Sequence, residues 1–199
     1  MADIALTLMA TQYAHPNSAS GMTSRPPNRE SSPETPLNLS FRDTSLGVAL
    51  IASSDAGIRA ISLGDDRQTL LREWTSHAPE IPFRTAESDE WADSVAAWLD
   101  APDTKLAVPL DIHGTDFQRA VWNALREIPR GATSTYAAIA ERIGRPRAIR
   151  AVANACAMNS LAVVIPCHRV LRSDGNISGY RWGVDLKRKL LALESSAPV

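Results

Sequence analysis

A chain of 199 residues, 44% apolar and 22% charged, is long enough for one ordinary globular domain or two small ones. No stretch approaches the roughly 18 to 20 uninterrupted apolar residues of a membrane span, so a soluble protein is expected. The two cysteines are too few for a disulfide scaffold or a four-thiolate zinc site. The net charge of −1 conceals unlike halves: residues 1–112 hold 8 Lys/Arg against 16 Asp/Glu, and residues 113–199 hold 13 against 6. The second half is therefore the candidate anion binder. The opening MADIALTLMA lacks the basic start of a secretory signal, and the expected compartment is the reducing cytoplasm.

Residues 1–40 carry five prolines and ten Ser/Thr with few large apolar side chains, so they are expected to be a disordered, dispensable tail. From Leu46 to Ala52 and from Gly57 to Leu63, β-favouring runs flank Ser53-Ser54-Asp55-Ala56, which predicts an antiparallel hairpin. Helices are predicted over 66–76 and 87–100, the second carrying Trp91, Val95, Trp98 and Leu99 on one face. Trp74, Trp91 and Trp98 could form a base-stacking set, but helical spacing favours core packing. Together these elements predict a small acidic α/β domain over 41–112, linked at Asp100-Ala101-Pro102-Asp103 to a mainly helical domain over 113–199.

That second domain opens on Thr115-Asp116-Phe117-Gln118, a capping box ahead of a helix over 115–127. Thr135 can cap a short helix striped by Tyr136, Ile139, Ala140 and Ile143. Gly144-Arg145-Pro146 then makes a three-residue turn into a helix over 147–158, the arrangement of a helix-turn-helix. On a helical wheel, Ile149, Val152, Ala153 and Cys156 turn inward, leaving Arg147, Arg150, Ala151, Asn154 and Ala157 outward. A face both basic and studded with small residues suits close approach to nucleic acid.

Leu161 to Ile165 reads as a buried strand ending at Pro166-Cys167-His168-Arg169-Val170. A free thiol of pKa about 8.5 is only a few per cent thiolate at neutral pH, so a useful nucleophile needs a base or a cation nearby, and His168 is the candidate. Adjacent residues of a regular strand point to opposite faces, so contact between them needs a turn or a bridging water. A buried cysteine beside a satisfied histidine is the alternative. His15, His77, His113 and Cys156 show no ligand spacing, so no metal is expected.

The IPCHRV run at 165–170, with Tyr136, Arg150, Asn159, Ser178-Gly179-Tyr180-Arg181-Trp182-Gly183 and Glu194 around it, closely resembles the O6-alkylguanine-DNA alkyltransferases, above all the C-terminal domain of bacterial Ada-type proteins. The likeness is strong over 113–194 and faint over 41–112. It implies an α/β ribonuclease-H-like domain followed by a mainly α, winged helix-turn-helix domain carrying the active site. It implies irreversible transfer of an alkyl group from guanine O6 to Cys167, with His168 as base through a water and Glu194 orienting the histidine. Tyr136 would serve the departing guanine at N3. Arg150 would fill the space of the flipped nucleotide from a helix lying in the minor groove, beside Arg147, Ala151 and Asn154. Asn159 would link that helix to the nucleophile segment, and Tyr180 with the Arg181 backbone would wall the base.

The implied partner is double-stranded DNA containing O6-alkylguanine, met by a monomer without cofactor, metal or membrane. Ada-type regulators also carry an N-terminal zinc domain with four cysteines, so repair without transcriptional regulation is expected here. Two other readings compete. A non-catalytic alkylguanine-lesion binder commonly replaces the cysteine with tryptophan, and a DNA-binding regulator leaves the Cys-His-Glu set without a purpose.

Overall fold

The computed structural model describes residues 35–101 and 106–195. The tail expected over 1–40 lies outside these residues as far as 34. Its last part is corrected: Leu37–Thr44 is a strand, β1. Leu37 and Leu39 are buried in the sheet, and these two leucines supply the apolar surface that the preceding Ser/Thr/Pro-rich stretch lacks.

β1 pairs antiparallel with β2 (Gly47–Ser54), and β2 with β3 (Gly57–Gly64), the expected hairpin. A short β4 (Phe83–Thr85) adds parallel to β1, giving the order β3-β2-β1-β4. β2 is apolar without alternation because both faces of the sheet are covered. Leu50 and Ala52 pack in a cluster with Leu70 of α1 (Arg67–His77), while Ala49 and Ile51 join Val95 and Leu99 of α2 (Glu90–Asp100). Trp74, Trp91 and Trp98 are half-buried against these clusters. α2 starts three residues later than its periodicity suggests, because the Asp89 carboxylate accepts from the Trp91 and Ala92 amides and caps it there.

The apolar cluster beneath α2 continues into the second half. It takes in Val121, Trp122 and Leu125 of α3 (Asp116–Arg126), Ile139 of α4 (Tyr136–Arg142) and Val152 of α5 (Ile149–Ala157). The capping box of α3 is formed in both directions between Thr115 and Gln118. The indole of Trp122 donates to the Ala155 carbonyl at 2.8 Å, tying α3 to α5.

Two expectations about the following segment are corrected. The link from α4 to α5 runs over 143–148, six residues instead of three, because Pro146 and Arg147 lie in a turn closed by the Ala148 amide on the Arg145 carbonyl. α5 therefore starts at Ile149, whose side chain at the helix start is 44% exposed; Ala155 takes an inward place with Val152 and Cys156. Leu161 to Ile165 is a turn, not a strand. Only Leu161 forms a bridge, parallel to Ile61 on β3, and Val163 adopts φ 65°, a left-handed conformation that a β-branched residue cannot hold within a strand.

Edges of the two halves meet along β3. The Ile58 amide donates to the Pro109 carbonyl and the Ile61 amide to the Ser160 carbonyl, at 2.9 and 2.8 Å. Gly57 makes the first approach feasible, since with φ 145° a Cβ there would lie 2.5 Å from the Pro109 oxygen. Two-residue strands β5 (Ser134–Thr135) and β6 (Val170–Leu171) pair in parallel, and α6 (Val184–Ser195) closes the described chain. No helix among the described residues is long and apolar enough to cross a membrane.

Candidate active site

The segment between α5 and β6 is organised by one side chain. Asn159 is fully buried; its amide nitrogen is shared among the carbonyls of Leu161 (3.3 Å) and Ile165 (2.9 Å) and Cys167 Sγ (3.2 Å), and its oxygen accepts from the Leu161 amide. β3 grips the same segment from outside, through the Ser160 carbonyl and the Ala162 amide. The strained turn at Val163 is thus held between an internal clamp and a sheet edge, and it delivers Cys167 into a single 3₁₀ turn, Cys167–Arg169.

That turn settles how adjacent Cys167 and His168 face the same interior. Both are buried, and no hydrogen bond joins them. Burial pushes the Cys167 thiol above its ordinary pKa, opposed by the Asn159 hydrogen bond and by the charge of Lys187, so the resting group is a thiol. His168 Nε2 lies 3.0 Å from Glu194 Oε1. Burial lowers the histidine's pKa despite this carboxylate, so the ring is neutral at pH 7. Burial also opposes ionisation of Glu194, but hydrogen bonds from His168 and Arg169 outweigh it and hold the carboxyl at about 2. A carboxylate only accepts, so Nε2 carries the ring proton, and Nδ1, buried without a protein partner, keeps a lone pair. The site therefore sets a buried thiol next in sequence to a neutral imidazole with a free lone pair.

Arg169 completes this group. Its guanidinium donates to both Glu194 oxygens at 2.9 and 2.8 Å and to the Ile128 carbonyl at 2.6 Å. Tyr136 opens α4, capped by Thr135, and β5 lies beside β6 so that its hydroxyl reaches 2.6 Å from Ser178 Oγ. Burial raises the Tyr136 pKa, which keeps its proton in place at neutral pH. Tyr180 sets its ring edge-on to His168 at 6.4 Å and against Trp182 at 5.1 Å, and the Arg181 guanidinium lies over Trp182. Arg150, Ala151 and Asn154 are exposed on α5, as the helical wheel predicts, and Arg147 is exposed in the turn before it.

Sequence reading passed over Arg169, Ser178 and Lys187 as site residues. Ser178 stood only within a motif, and Arg169 only beside the nucleophile. Lys187 had a signal: with Leu190 and Glu194 it occupies i, i+3 and i+7 of α6, so two charged residues sit on a buried stripe.

Acidification should destabilise the fold in two stages. His168 is held below its ordinary 6.5, so the unfolded ring binds a proton that the folded one refuses, and stability falls as the pH drops through that value. Glu194 contributes stability that is present above the unfolded value of 4.5 and lost as the pH falls toward about 2; the difference corresponds to about 3 kcal/mol. Urea unfolding between pH 7 and pH 3 should show wild type losing its advantage over Glu194→Gln below about pH 4.5. Parallel curves would contradict this origin.

Comparisons with known proteins show the family of this chain. A family model described as 6-O-methylguanine DNA methyltransferase, DNA binding domain, matches residues 116–196. Over 156 residues the chain is 40% identical to a methylated-DNA–protein-cysteine methyltransferase of Methanosarcina barkeri, an alignment covering 77% of this chain and 94% of that one. The chain belongs to the methylated-DNA–protein-cysteine methyltransferase family. It is also 44% identical over 188 residues to the bifunctional transcriptional activator/DNA repair enzyme Ada of Escherichia coli, covering 94% of this chain and 53% of that protein, so it spans about half the length of this relative. Among solved structures, Mycobacterium tuberculosis OGT in complex with DNA is similar with a TM-score of 0.66 and 33% identity, over 80% of this methyltransferase-family chain and 93% of that chain. The mixed sheet and the helices after it are thus those of a known fold, and the clustered side chains of 136–194 fall within the matched residues 116–196.

Proposed function

We propose that this chain is a single-use DNA repair protein that moves the alkyl group of O6-alkylguanine in double-stranded DNA irreversibly onto Cys167. The observation that carries the reading is the buried Cys167 thiol, held by Asn159, next in sequence to a neutral His168 whose Nδ1 lone pair is uncommitted. In this reading Nδ1 takes the thiol proton through a bridging water, and the Glu194 carboxylate stabilises the imidazolium that results. The thiolate attacks the alkyl carbon; the S–C bond forms as the C–O6 bond breaks, and the electron pair passes to the purine. Tyr136 protonates the ring at N3, so guanine leaves as a neutral molecule. A thioether is no leaving group at neutral pH, which makes the step final. The exposed face of α5 and the turn before it support DNA contact: Ala151 and Asn154 lie along the helix, Arg147 in the turn, and Arg150 takes the place of the flipped nucleotide. Tyr180 and the Arg181 backbone wall the base.

The finer fold assignment belongs to the same proposal. Three antiparallel strands with a fourth parallel to the first, covered on both faces by helices, support a ribonuclease-H-like domain that starts at Leu37, ahead of the expected 41, and runs to about 112. Helices α4 and α5 beside the β5–β6 pair support a winged helix-turn-helix over 113–199. The protein acts as a monomer, without metal or cofactor, in the cytoplasm.

The test is peptide mapping by mass after mixing the protein with duplex containing one O6-methylguanine. One methyl group should appear on the peptide bearing Cys167; an unmodified Cys167 would end the proposal. Arg150→Ala should slow repair of duplex by about tenfold or more, since unstacking a base costs a few kcal/mol, yet leave reaction with free O6-benzylguanine within about twofold. Equal slowing on both substrates would remove the extrusion role.

A further inference from the structure

α6 buries the amine of a lysine, whose pKa burial lowers. Lys187 is 1% exposed, and among the described residues it has no carboxylate partner. Stripping a lysine of water costs several kcal/mol, and a neutral donor would serve as well if the aim were only to hold the chain. Its Nζ donates to the Val170 carbonyl at 2.6 Å and, at 3.4 Å, reaches Ser178 Oγ. The same Ser178 Oγ lies 2.6 Å from the Tyr136 hydroxyl. Three side chains from three parts of the chain thus form a row, Lys187, Ser178, Tyr136, ending at the hydroxyl that serves the departing guanine.

We propose that Lys187 is a positioning residue that gives this row its direction, so that Ser178 donates to Tyr136 and the tyrosine's own proton is left for the substrate. The inference rests on the alkyl-transfer reading above. An ammonium has three donors and no acceptor, so Ser178 Oγ must accept from it. Each hydroxyl carries one hydrogen, and only one of the two can donate across the 2.6 Å contact. If Tyr136 donated, Ser178 would accept twice and its own hydrogen would have no partner, while the tyrosine proton would be spent inside the protein. With Ser178 donating, the hydroxyl hydrogen left over is that of Tyr136, the one the alkyl-transfer reading gives to the base. The polarity also suits the reaction: as the S–C bond forms and the C–O6 bond breaks, the Tyr136 proton moves to the purine, and the developing phenolate is met by a donor already pointing at it. The lysine charge favours the Cys167 thiolate as well.

Single-turnover transfer rates and duplex affinities decide the matter, measured on DNA with one O6-methylguanine for wild type, Lys187→Met, Ser178→Ala, Tyr136→Phe and the Ser178→Ala/Tyr136→Phe pair. Ser178→Ala and Lys187→Met should each slow transfer about tenfold, with affinity within about twofold. In the Tyr136→Phe background, Ser178→Ala should cost less than about twofold more, because the group it orients is gone. A purely structural role would slow both backgrounds alike. Ser178→Ala at the wild-type rate, or the same tenfold loss in Tyr136→Phe, would overturn the proposal, and this cycle stands even where Lys187→Met fails to fold. Wild type that transfers no methyl group would overturn the alkyl-transfer reading and this inference with it; wild type that transfers, with additive losses, overturns this inference alone.

Discussion

Cys167→Ala protein will bind duplex containing O6-methylguanine within about twofold of wild type and will remove no methyl group from it. Affinity for DNA comes from phosphate and groove contacts, which the proposed function assigns to the exposed Arg147, Arg150, Ala151 and Asn154. Cys167 is 4% exposed, so its loss leaves those surface contacts intact. Trimming one sulfur from a site already braced by Asn159 also costs little packing, and the fold should persist. Fluorescence anisotropy and a methyl-release assay on the same sample separate the two properties. Residual transfer would move the nucleophile elsewhere. Cys156 is the other candidate, but burial, with the neighbouring Cys167 adding to it, pushes that thiol up to about 12, and it should carry no methyl.

His168→Gln should slow transfer about a hundredfold at pH 7. A glutamine amide can still donate to Glu194, so the buried carboxylate keeps a partner, but it offers no basic lone pair in the place of Nδ1. The thiol must then ionise into solvent, and burial has moved its pKa upward. The deficit should therefore narrow as the pH rises toward 9 and more of the thiol ionises unaided. Stopped-flow transfer between pH 6 and pH 9 measures this. A deficit independent of pH, or none at pH 7, would show that Nδ1 is not the base.

Much of the scaffold could be read from the sequence because local chemistry decides it. Thr115 and Gln118 form their capping box wherever a helix follows, and two β-favouring runs around Ser53-Ser54-Asp55-Ala56 close into a hairpin without help from the rest of the chain. What escaped was decided by distant contacts. Leu37 and Leu39 look like the end of a polar tail until a sheet is there to bury them. The run Leu161 to Ile165 has the composition of a strand, yet β3 takes only Leu161 and Ala162, and the Asn159 amide bends the remainder into a turn. Ile149 obeys the wheel only if the helix starts at 147, and Pro146 shifts that start.

The site divides the same way. Cys167 and His168 declare themselves by adjacency and by the chemistry a thiol needs. Glu194, Tyr136 and Asn159, 26 residues or fewer from His168 along the chain in two cases and at the start of α4 in the third, came only through resemblance to a family. Arg169 came by neither route and Lys187 left only its spacing with Leu190 and Glu194, since a charged residue next to a motif or on a helix reads as solvated until burial shows otherwise.

The most direct measurement counts methyl groups. Wild-type protein is mixed with a large excess of duplex carrying one O6-methylguanine, and repaired duplex is quantified against intact protein mass over time. The account predicts a plateau at one methyl group per protein molecule, all of it on Cys167, with no further repair however long the mixture stands. Repair that continues past one equivalent, or a plateau with Cys167 unmodified, would contradict it.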